Sequence, residues 1–152
     1  MVAGLTLLIG GVGIINRSDR GGRMHTSDLP SLNASLVPQA GIPSNMGRWL
    51  NGQGIQVQPD RVRVTGFAHG YNEGREAFRI NLRDRVGDMA LMIVQDSEGV
   101  DGTWSQEGSA FKYGQIESLH FVTWNHDGRA MMLVGDRSLE ELQSIAEAIS
   151  QR

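Results

Sequence analysis

Four histidines, His25, His69, His120 and His126, are the side chains of this sequence best suited to titrate or bind a metal near neutral pH. None stands in an H-x-x-x-H or H-E-x-x-H pair, and no carboxylate cluster sits beside them at ligand spacing. His120 and His126 have the strand parity of Val122 and Trp124, so a metal site would need His69 brought to them by the fold. Ordinary hydrogen-bonding histidines at strand edges and turns are the simpler reading. Asp96, Glu98 and Asp101 place three carboxylates in one loop but lack the spacing of a calcium-binding EF-hand. Asp84 and Asp88 read as turn residues. No serine is framed as G-x-S-x-G, and Gly11-Val-Gly13 is not continued into a nucleotide-binding loop. The sequence contains no cysteine, which excludes disulfides, thiolate metal ligation and a cysteine nucleophile. The expectation is a protein without catalytic, cofactor-binding or metal-ligating residues, and not an enzyme.

Composition is ordinary for a soluble globular protein, with 39% apolar and 20% charged residues. The chain has 152 residues, enough for one domain with a real core. A formal net charge of −3 gives no pull toward nucleic acid. The basic residues, all arginine except Lys112, look dispersed along the chain. The methionines, among them Met89, Met92, Met131 and Met132, fit core filling on facing strands.

Three regions follow from the patterning: an apolar segment (1–16), a flexible linker (17–43) and an α+β domain (44–152). Residues 1–16 carry no charge. As a helix they would reach about 24 Å, short of the ~30 Å hydrocarbon core of a bilayer. A membrane anchor, an atypical signal peptide and a buried glycine-rich element of the fold all remain open for this stretch. Arg17, Arg20 and Arg23 follow it, on the side where an outward-facing domain is not expected to carry positive charge. Between Asn16 and Pro43 periodicity gives way to Gly, Ser, Asp, Asn and Pro, which reads as a flexible connector or a loosely attached strap, with His25 as a solvated residue.

In the domain, Ser44 caps a short helix with Met46, Trp49 and Leu50 on one face. Strands are expected over 62–68, with Gly66 as a bulge, and over 76–82 and 89–94. The stretch 89–94 is apolar on both faces and reads as central. Residues 96–108 form a loop whose Trp104 packs over the core edge. Phe111 to Trp124 carries another strand, and Asp127-Gly128 marks a hairpin into the last one, 129–134. Ser138-Leu-Glu-Glu141 is a capping box that opens a helix with Leu139, Leu142, Ile145, Ala146 and Ile149 in one stripe. The predicted architecture is α+β: a single antiparallel sheet of about five strands, a C-terminal helix packed on one face and a short N-terminal helix.

The residues Phe121-Val-Thr-Trp124, Asp127-Gly-Arg-Ala-Met-Met-Leu-Val-Gly135, Ser138-Leu-Glu-Glu-Leu142 and Ile145-Ala146 together resemble the C-terminal domain of transmembrane anti-sigma factors. Val64-Thr-Gly-Phe67, Ala90-Leu-Met-Ile-Val94 and the helix around Trp49 are similar to earlier parts of that domain, so the likeness spans about residues 44–150. It implies a non-enzymatic, extracytoplasmic regulatory or sensory domain on a single-pass bacterial inner-membrane protein. Such a domain works through a protein partner, a sigma-factor regulatory system or a signalling protease. The family's zinc-binding, sigma-sequestering domain uses His and Cys, and with no cysteine present sigma binding carries over to no residue here. The alternative expectation is an exported domain that binds a small ligand or the envelope after signal cleavage.

Overall fold

The computed structural model describes residues 23–106 and 109–150, so the apolar segment 1–16 and the first linker residues lie outside the described part. In chain order the elements are β1 (Arg23–His25), a 3-10 turn (Thr26–Asp28), α1 (Leu29–Ser35), β2 (Val37–Pro38), α2 (Met46–Gly52), β3 (Arg63–Asn72), β4 (Arg75–Arg83), β5 (Asp88–Val94), β6 (Gly99–Asp101), β7 (Trp104–Ser105), β8 (Lys112–Ile116), β9 (Leu119–His126), β10 (Arg129–Gly135) and α3 (Leu139–Ile149). The fold is α+β with a C-terminal helix. Its main sheet, in the order β2-β3-β4-β5-β10-β9-β8-β7, has eight antiparallel strands rather than about five. A separate parallel pair joins β1 to β6.

The surplus strands are short, β2 and β7 of two residues each, too few for alternation to reveal them. Residues 111–124 are split into β8 and β9 at Glu117, whose φ of 55° turns the chain. The expected 96–108 loop contributes β6 and β7. Trp104 lies on the two-residue edge strand and stays 44% exposed instead of covering the core. Two hairpins turn on adjacent left-handed residues, Glu73-Gly74 and Asp127-Gly128, the geometry that suits the twist of paired strands. The register of β3 slips between Val64 and Gly66, where the bulge is expected.

Strands β5 and β10 lie at the middle of the sheet and are buried on both faces. Met89, Leu91, Ile93, Met131 and Leu133 point to the first face, where Leu142, Ala146 and Ile149 of α3 and Met46 and Leu50 of α2 cover them. Ser138 Oγ accepts the Glu141 N–H at 3.2 Å and donates to the Glu141 carboxylate at 3.1 Å, fixing the start of α3. Tyr113 Oη donates to Gln143 Oε1 at 2.5 Å and ties that helix to β8.

Met92, Val94, Ala130 and Met132 point to the second face, which the linker reading leaves bare. Residues 23–38 cover it as a strap, closely packed rather than loosely attached. Leu29, Leu32 and Leu36 follow helical spacing, and Pro30 falls in the first turn, where a missing N–H does no harm. His25 is part of the strap: its Nδ1 accepts the Ser27 N–H and its own N–H donates to Asp28. At Gly70 a β-carbon would stand 2.5 Å from the Ser35 carbonyl oxygen, so only glycine lets the end of α1 approach β3.

Replacing Leu32, fully buried in the strap, with alanine is expected to destabilise the protein by about 3 kcal/mol in urea unfolding. A change near zero would mean that the strap does not pack on the sheet.

Candidate functional site

The fold keeps the candidate metal ligands apart. His120 and His126 do share a face of β9, but at opposite ends, roughly 20 Å from each other. His69 lies on β3, with three strands between it and β9. Each histidine has local work. His69 Nε2 is 2.7 Å from Glu76 Oε2, and its ring stacks on Phe78. His120 Nδ1 is 2.7 Å from the Arg137 carbonyl, which can only accept, so this nitrogen carries the proton. His126 packs against Gly54 and lies 3.4 Å from Asp127. In the 96–102 loop, Asp101 accepts Arg23 Nε at 2.7 Å, while Asp96 and Glu98 offer backbone carbonyls to Arg75 and Arg23. Among the described residues no group of three His, Asp or Glu side chains could hold a metal ion.

What the fold does assemble is a charged end of the sheet at the β4–β5 turn. Asp84 opens that turn and closes it on itself, accepting the Val86 and Gly87 N–H groups. Arg137, carried there by the end of β10, grips both Asp84 oxygens at 2.6 and 2.5 Å and also donates to the Gly87 carbonyl. A planar guanidinium suits this forked geometry. The Arg137 side chain is only 4% exposed, so the pair is a buried tie between segments 53 positions apart. Its hydrogen bonds hold the Asp84 carboxyl down to about 2 and push the Arg137 guanidinium up.

Around this tie four arginines converge. Arg63 and Arg83 stand directly opposite each other on β3 and β4, an arrangement that like charges disfavour. Arg61 and Arg85 join them around a depression of about 270 Å³, with Asp60 on its rim. Arg83 is held by both Asp88 oxygens, which lowers the Asp88 carboxyl. Arg61, Arg63 and Arg85 have no carboxylate partner among the described residues. Asp84 cannot serve them, because Arg137 and two backbone N–H groups already occupy it. The result is a local surplus of positive charge on an acidic protein.

Sequence reasoning reads these arginines as dispersed. The available signal is the repeated Arg-x-Arg spacing at 61/63 and 83/85, at facing ends of two strands expected to pair. Beside the cluster the second face of the sheet is open. Depressions of about 440 and 460 Å³ share Ala90, Leu119 and Val134, and Arg83 lines the larger one.

The depressed Asp84 carboxyl sets a pH dependence. Its stabilisation is present above about pH 4, the ordinary carboxylate range, and is lost as pH falls toward 2. Asp84→Asn is expected to remove that part of the acid-unfolding profile, followed by circular dichroism. Arg137→Met, which strands the Asp84 carboxylate, is expected to lower stability at neutral pH by about 3 kcal/mol.

Compared with known proteins, the chain matches no family model, no curated protein and no solved structure.

Proposed function

We propose that this protein is a membrane-tethered, non-enzymatic regulatory domain of the kind found outside the membrane in anti-sigma factors. It acts through contact with a protein partner rather than through chemistry of its own. The observation that carries the reading is the uncharged run from Val2 to Ile15, set ahead of a domain whose closing residues have the Trp124, hairpin and capped-helix order of that family. Fourteen such residues in water are costly to leave solvated, and a bilayer is the medium that best accepts them. No helix among the described residues is long and apolar enough to cross a membrane.

Full-length protein produced in bacteria is expected in the membrane fraction, resistant to an alkaline wash, with the domain open to protease added to spheroplasts. Deleting residues 2–15 is expected to release it. A soluble chain whose intact N-terminus is confirmed by mass spectrometry would sink the reading.

A further inference from the structure

We propose that the open part of the second face binds a single-chain amphiphile, its acyl chain in the furrow and its anionic head on the arginine cluster. The strap sets the furrow. Helix α1 covers Ala77, Met92 and Met132 but stops short of the next row, Asn81, Ala90 and Val134, which are neighbours across β4, β5 and β10. Ala90 is the small residue of that row and deepens it. The two depressions adjoin across Ala90, Leu119 and Val134, and the first reaches Ile116 and Leu29. From β4 to β8 the furrow crosses four strand spacings, roughly 19 Å, which fits a medium-length acyl chain.

Three observations select the occupant. The floor is the middle of a sheet, where backbone N–H and C=O groups are already paired between strands. A peptide laid across it would find no main-chain partners, whereas an acyl chain needs none. The furrow is lined mainly by apolar surface and ends at Arg83, which also lines the arginine depression with Arg63 and Arg85. Asp88, already held by Arg83, and Asp136 stand at that same end, where Arg63 and Arg85 outweigh what they leave unpaired. Glu117 and Arg79, bonded to the neutral Asn33, line the other part of the furrow. An anionic head is therefore drawn to Arg63 and Arg85, the two arginines of that end without a carboxylate partner among the described residues.

The test uses full-length protein and dodecyl phosphate below its micelle concentration, followed by calorimetry. Dodecyl maltoside supplies the chain without the charge, and inorganic phosphate the charge without the chain. Dodecyl phosphate is expected to bind about tenfold or more tightly than either, the difference made by one good charge-assisted contact. Arg63→Gln combined with Arg85→Gln, both on the surface, is expected to erase the advantage over the maltoside. Ala90→Leu, which fills the furrow floor, is expected to weaken dodecyl phosphate binding about tenfold with the circular dichroism spectrum retained. Equal binding of inorganic phosphate, equal binding of the maltoside, or binding only to assembled anionic vesicles would each overturn the proposal. So would no binding at all. Residues 2–15 can take up amphiphile themselves, so only the binding that Ala90→Leu and the double arginine variant remove is assigned to the furrow. Failure of that loss overturns the furrow while leaving the tether reading untouched.

Discussion

The rest of the structure depends on one constraint: β5 and β10 are apolar on both faces, so the sheet must be covered twice. A single helix can bury only one face, and α3 with α2 does so over Met131 and Leu133. The opposite side, with Met92, Val94 and Met132, would otherwise expose a broad apolar surface. The chain meets this demand with residues that precede the sheet. That arrangement recruits a segment of irregular composition into the core and makes residues 23–38 structural. It also fixes where the second face remains open, because a helix of 7 residues cannot cover eight strands.

Legibility in the sequence follows burial. Elements with one clear inner stripe, such as α3 and the strand 76–82, are read from periodicity alone. The Asp127-Gly128 hairpin is read from turn chemistry, since adjacent left-handed residues favour that pair. The strap is harder: its helix has three leucines at helical spacing, but Pro30 and the surrounding Asp, Ser and Asn suggest a connector. Only tertiary contact decides such a case. Strand β7 has only two residues to show alternation, and β8 is run together with β9 because Lys112, Gly114 and Gln115 give none. There Gly114 is demanded by the Phe121 ring, which occupies the space its β-carbon would need. The arginine cluster is invisible as long as charges are counted along the chain rather than across strand pairs.

The Asp84–Arg137 tie shows how a charged site is made rigid without being made reactive. Both groups are locked in their charged states, and every Asp84 oxygen is engaged. A carboxylate so placed is a poor proton acceptor near neutral pH. What it supplies is position: the 84–87 turn is held against the β10–α3 junction, and the neighbouring arginines project from a fixed frame. This suits recognition of a charged group better than proton transfer.

A last consequence concerns the rim of the sheet where Arg63 lies. Strand β3 has ten residues, while its outer neighbour β2 has two. A long bare strand edge is an invitation to pair with another molecule and grow into fibres. Here Pro38 withholds an N–H from β2, the slip between Val64 and Gly66 breaks the line, and Arg63 places a charge at its end. Together they deny an incoming strand a straight, neutral run of partners. The arginine that meets an anion on one side thus guards the protein's solubility on the other.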